Sequence, residues 1–176
     1  MKIYIRSLAL LILFLTIGLN AQAQNSQPSE EGYQLAKERA VRLANKLAEA
    51  ITAQEPKWKL KDGFEGSSGY PAEGPRHLEF VKQQFWKAGK YSAEIRIYVC
   101  ESVEQASIKQ KQHSFWSSVS ASRPLDGVGD EAYYINYPYF TWISVRKGSI
   151  VVAVNGPGGL TYARGFINLA LPLMNE

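Results

Sequence analysis

The stretch Gly127–Tyr134, GVGDEAYY, sets two glycines ahead of adjacent carboxylates, Asp130 and Glu131, and then two tyrosines. Such a run has the ingredients of a phosphate loop or a metal site. A phosphate cradle needs its glycine loop to open a helix, so that free N–H groups and the helix dipole face the anion. Here a strand pattern follows instead, and two carboxylates stand where the anion would sit. Neighbouring residues on a strand point to opposite faces, which is poor geometry for a shared metal ion or a catalytic pair. The segment therefore reads as a glycine turn leading into a strand.

Other motifs fare similarly. NGPGGLTYARG runs from an apolar strand into a helix, but Thr161 stands where the third glycine of a dinucleotide fingerprint belongs, after Gly156 and Gly158. GSSG, residues 66–69, lacks the G-x-S-x-G spacing of a nucleophile elbow and reads as turn. The two histidines, His77 and His113, form no ligand pair at metal-binding spacing, so neither metal nor cofactor is expected. A dispersed Ser/His/Asp or Cys/His site leaves no local signature and stays open. Cys100 is the single cysteine, which rules out a disulfide within the chain, and its place at the end of AEIRIYVC suits a small buried hydrophobe.

The most unusual run is YYINYPYFTW, residues 133–142, with six aromatics in ten positions. In the strand it enters, Thr141, Ile143 and Val145 share one face, and Phe140, Trp142, Ser144 and Arg146 the other. Tyr137 and Tyr139 flank Pro138 at a bend. If the core takes the first face, Tyr137, Tyr139, Phe140, Trp142 and Arg146 make a candidate surface for a sugar, a peptide or a protein partner. The competing reading is that a helix covers those rings.

What must position these residues begins with the ends of the chain. Lys2 and Arg6, the apolar run Leu8–Leu19 and then Ala21, Gln22 and Ala23 form a secretory signal pattern, with cleavage expected after Ala23. The run is short for a spanning helix, so no stable membrane insertion is expected once it is removed. Loss of Lys2 and Arg6 lowers the net charge of +4 by two, to +2, too balanced for a nucleic-acid partner. Residues 24–30 are polar and read as a flexible lead-in, and residues 31–176 as one domain.

Within that domain, Ala36, Ala40, Leu43, Leu47 and Ile51 recur at helical spacing, predicting an amphipathic helix over 31–53. Residues 54–77 break every period and read as loop, with a short strand around Trp58–Leu60. A hairpin follows, turning at Lys87–Lys90. Ser102 and Gln105 form a capping box for a helix over 103–116 that would bury Val103, Ala106, Ile108, Phe115 and Trp116. The aromatic run then starts a three-stranded meander in which IVVAV is a central strand, and a helix broken near Pro172 closes the chain. The expected fold is α+β: a mainly antiparallel sheet of about five strands with three helices, arranged as an α/β/α sandwich.

GVGDEAYY, followed by WISVRKGSIVVAV and a terminal helix, resembles a pattern in uncharacterised bacterial exported proteins, the sensor-like and lipoprotein domains grouped with Mog1/PsbP-like folds. In that pattern the glycine-acid element enters a strand and the R-K-G turn joins the next two. The resemblance covers Gly127–Val154 and implies a small noncatalytic module of the cell envelope, with no catalytic residues carried over. The expectation is an exported binding or accessory domain, periplasmic or secreted, whose partner is an envelope protein, a peptide or a glycan. A small envelope hydrolase with dispersed residues and a structural subunit of an envelope complex are the alternatives.

Overall fold

The computed structural model describes residues 30–67, 79–116, 122–157 and 159–175. The leader and lead-in, the segment around His77 and residues 117–121 lie outside them. Helix α1 spans Glu30–Gln54, α2 Val103–Trp116 and α3 Leu160–Leu173. The strands are β1 (Lys59–Ser67), β2 (Glu79–Ala88), β3 (Tyr91–Cys100), β4 (Arg123–Pro124), β5 (Glu131–Asn136), β6 (Phe140–Lys147) and β7 (Ile150–Pro157). They form one sheet in the order β1-β2-β3-β7-β6-β5-β4, with every neighbouring pair antiparallel.

The α+β class and the three helices agree with the sequence reading, but the sheet has seven strands rather than about five. Of the two extra strands, β1 was read mostly as loop because Gly63, Gly66 and its charges interrupt any alternation. It is an edge strand whose pairing to β2 supplies the order its side chains do not encode, and a bulge at Lys61 shifts its register between Leu60 and Asp62. The other, β4, is two residues long and exists only through its pairing to β5.

One face of the sheet carries the main core. Ala36, Ala40, Leu43, Leu47 and Ile51 of α1 are buried, as their spacing requires, and pack with Ala163, Phe166, Ile167 and Ala170 of α3 over the sheet. From the strands come Phe80 and Trp86, Ile95, Ile97 and Val99, Ile143 and Val145, and Val152 and Val154. Buried Gln84 ties β2 to α1: its Nε2 donates to the Ala44 carbonyl at 2.9 Å, and its Oε1 accepts from Trp86 Nε1 at 3.4 Å. Central β7 is covered on both sides, since Val151 and Ala153 join a second cluster on the opposite face with Val81, Tyr98, Cys100 and Ala106. Cys100 is thus buried, as its context suggested.

Helix α2 forms the third layer, over β3, β7, β6 and β5; it buries Ala106 as expected but not every apolar residue of that side, and the side chains of Phe115 and Trp116 lie outside the described ones. Val103 and Ile108 are exposed, whereas Ala106, Lys109 and Gln110 are buried. The reason is polar pairing. Gln110 Nε2 donates to the Ser144 carbonyl at 2.9 Å, and Ser144 Oγ donates to Gln110 Oε1 at 2.6 Å, so both buried groups are satisfied. Lys109 Nζ lies 4.5 Å from the Tyr98 ring centroid. The capping box also differs in one bond: Gln105 N donates to Ser102 Oγ at 3.2 Å, but Gln105 Oε1 accepts from Glu101 N rather than from Ser102.

The opening motif forms a turn, but its carboxylates do not diverge. Asp130 precedes β5, and both acids converge on Arg146 of β6: Nη1 lies 3.0 Å from Asp130 Oδ2 and Nε 3.2 Å from Glu131 Oε2. Asp130 Oδ2 also accepts from Gly148 N at 2.7 Å, so this acid caps the R-K-G turn, where Gly148 takes φ 56° in the two-residue loop between β6 and β7. The two motifs are therefore halves of one structural clamp.

Tyr133 belongs to the same network, its hydroxyl donating to Glu131 Oε1 at 3.1 Å. Burial raises the phenol pKa above its usual value, and the hydrogen bond and charge of Glu131 add to that. Because the native state holds this proton more tightly than the unfolded chain does, the contribution is complete below the usual tyrosine value. It falls as pH climbs through the higher native one. Tyrosinate absorbance should show one tyrosine titrating late, and Glu131→Gln should bring that transition back toward the ordinary range. An unshifted titration for every tyrosine would contradict the clamp as described.

Candidate functional site

The strand register brings residues far apart in sequence into rows on the α2 side of the sheet. Phe85 pairs with Glu94, Glu94 with Asn155, Asn155 with Trp142 and Trp142 with Ile135, which makes one row across five strands. The next row outward holds Lys59, Lys87 and Ser92, paired in that order, and Pro157 paired with Phe140. The described side chains of helix α2 sit over Tyr98, Val151, Ala153 and Ser144, and within the first row Trp142 packs against this cluster.

Beside the β2–β3 turn lies an open depression of about 410 Å³, lined by Phe85, Tyr91, Ser92, Ala93, Glu94, Phe140 and Asn155. Lys90, Tyr139, Gly156 and Pro157 complete its wall. Phe85, Tyr91 and Phe140 each expose about two fifths of their surface, and Tyr139 is 90% exposed.

The aromatic bend is held in place by its neighbours. Tyr137 N donates to the Phe140 carbonyl at 2.9 Å, and the two rings lie 5.0 Å apart between centroids. Thr141 Oγ1 donates to Asn136 Oδ1 at 2.6 Å and accepts from Gly159 N at 2.9 Å, which joins the bend to the start of α3. On the other side, Glu94 accepts from both Gln83 Nε2 and Arg96 Nε. Partial burial of Arg96 opposes its charge, yet the hydrogen bond it donates to Glu94, with the neighbouring phenol of Tyr98 and the charge of Glu94, outweighs this and raises its pKa. Glu94 is thereby held as a fixed acceptor in the floor of the depression.

The five candidate residues are divided by this geometry. Tyr137, Tyr139 and Phe140 are exposed at the depression end of β6. Trp142 is half-buried and packs against the second cluster beneath α2, so the helix covers part of the aromatic face and leaves part open. Arg146 lies at the far end of β6, in the clamp with Asp130 and Glu131. Phe85, Tyr91, Glu94 and Asn155 were not singled out from sequence. The alternation in β2 and β3 puts Phe85 and Glu94 on outward positions, but only the β3–β7 register carries them to Asn155 and Phe140.

Among the described residues no histidine or cysteine lines the depression, and no three His, Cys, Asp or Glu side chains are grouped to hold a metal ion. His113 is on α2, and His77 lies outside the described residues. Ring stacking, hydrogen bonding and charge pairing are what the lining side chains can do. Among the described residues, no helix is long and apolar enough to cross a membrane.

No protein-family model matches the chain, and no curated protein matches it. One solved structure is similar in shape, a GTP-binding regulator from Thermotoga maritima. The two share 16% sequence identity over 75% of this chain and 89% of that one, with a TM-score of 0.47.

Proposed function

We propose that this chain is an exported, noncatalytic binding or accessory domain of the cell envelope, of Mog1/PsbP-like type, and that it holds its ligand in the depression beside the aromatic bend. One observation carries the reading. Exposed Phe85, Tyr91, Tyr139 and Phe140 surround the polar floor of Glu94 and Asn155 in a concavity that α2 leaves open. Exposed rings gathered around polar side chains are costly to leave in water and suited to stacking on a partner. The signal pattern of residues 1–23 supports export.

The binding half is tested with the chain beginning at Gln24, screened against arrays of glycans and peptides. Wild type should retain a ligand that Tyr139→Ser/Phe140→Ser loses by about tenfold or more, with little change in the melting midpoint because both rings are exposed. Retention that ignores the double substitution, or no retention at all, would overturn the site. The export half is read from the N-terminus of the protein recovered outside the cytoplasm, expected at Gln24. An intact Met1 on a cytoplasmic protein would overturn it.

A further inference from the structure

We infer that the ligand of this depression is an acidic oligosaccharide lying across the strands, with its rings on the aromatic side chains and its carboxylates or sulfates on a lysine cluster at the sheet edge. The inference rests on the depression being a binding site and adds the chemical class of its occupant.

Charge points to it first. Lys59 and Lys87 are directly opposite each other on β1 and β2, on the same sheet face as Phe85 and Ser92, and both are exposed. Like charges at directly opposed positions destabilise a sheet. Neither lysine has a carboxylate within ion-pair reach among the described residues. Of the acids nearby, Glu94 is paired with Arg96 and Glu55 lies 3.2 Å from Lys57; Asp62, opposite Phe85 on β1, accepts from Gly63 N at 2.7 Å and is the one acid beside the lysines without a cation partner among the described residues. Lys90, over the Tyr91 ring at 5.4 Å, adds a third positive charge on the wall of the depression. An anionic ligand would relieve the Lys59–Lys87 repulsion that the folded domain leaves uncompensated.

Shape and hydrogen bonding point to a sugar chain rather than a peptide. The floor is made by inner strands of the sheet, β2, β3, β7 and β6, none of them an edge strand, although the β3–β7 ladder stops at Glu94↔Asn155. A peptide adding to a sheet needs a free edge. This floor instead offers side-chain partners, the Ser92 hydroxyl, the Asn155 amide and the Glu94 carboxylate, beside the ring faces of Phe85 and Phe140. That combination matches hydroxyl-bearing rings. From Lys59 on β1 to Phe140 on β6 is four strand spacings, about 19 Å, so the site is an elongated one that takes several sugar units.

The test is titration of the chain beginning at Gln24 with oligomers of galacturonate, hyaluronan fragments and heparin fragments. Uncharged mannan oligomers, an acidic peptide and anionic phospholipid vesicles serve as competing probes. The expected result is binding to at least one acidic oligosaccharide, tighter with longer oligomers, weakened by salt, and lowered about tenfold or more in Lys59→Gln/Lys87→Gln. Both lysines are exposed, so the variant should melt no earlier than wild type, and relief of the like-charge pair should raise its midpoint slightly.

Binding of mannan or the peptide that depends on Tyr139 and Phe140 but ignores the lysine substitutions would overturn the acidic class and leave the binding domain standing. Binding of vesicles alone would overturn it in favour of a lipid surface. Failure of all three acidic oligosaccharides would overturn it outright.

Discussion

Trp58→Ala should lower the free energy of unfolding by about 4 kcal/mol, the largest loss expected from one substitution in this domain. The ring is 1% exposed and lies between the end of α1 and the face of α3. It meets Phe166 edge-on, with centroids 5.2 Å apart and planes at 71°, and Tyr162 at 6.4 Å. The chain is fixed in position to place it there, since Glu55 N donates to the Ile51 carbonyl at 2.8 Å and Trp58 N to the Glu55 carbonyl at 2.9 Å. Removing the ring leaves a cavity between two helices that the turn cannot close. The melting midpoint should fall by roughly 10 °C, and Trp58→Phe should recover much of it. A loss below about 1 kcal/mol in urea unfolding would mean that α3 does not depend on this ring.

Gly129→Ala should cost about 3 kcal/mol, and Gly127→Ala distinctly less, although both glycines belong to one motif and both have positive φ, 66° and 73°. A Cβ on Gly129 would stand 2.6 Å from the Arg146 carbonyl oxygen and 2.6 Å from Val145 Cγ1. The loop cannot withdraw, because Asp130 N donates to that same carbonyl at 2.8 Å. A Cβ on Gly127 meets nothing within 4 Å, so only the backbone preference opposes it, at about 1–2 kcal/mol. Denaturant midpoints of the two variants measure the difference. Equal costs would show that the clamp around Arg146 yields.

The same clamp shows why the motif was legible as structure and opaque in detail. Two glycines before a strand pattern announce a turn, because few other residues accept positive φ. Nothing in that local pattern says that Asp130 and Glu131 share a guanidinium, since Arg146 arrives from the next strand in the sheet. Helix α2 gives the converse lesson. Of its expected apolar side Ala106 is buried while Val103 and Ile108 are exposed, and Gln110 is buried as well because it finds both of its partners on Ser144. A polar side chain takes an inward position on a helix when the surface beneath offers it partners.

The sequence by itself determined the local elements: α1 from its three-and-four spacing, the hairpin turns from their glycines, β7 as a central strand from five consecutive apolar residues, and the partition of β6 into Thr141, Ile143 and Val145 against Phe140, Trp142 and Ser144. These follow from periodicity and backbone preference, which act within a few residues. The tertiary structure alone decided that β1 runs on past the short strand expected at Trp58–Leu60 to Ser67, that Trp142 is partly covered while Tyr139 and Phe140 are not, and that Phe85, Glu94 and Asn155 meet Phe140 around one depression. Each of these depends on strand order and on where α2 comes to rest. Both are settled by contacts between residues distant in the chain, about which local pattern carries no information.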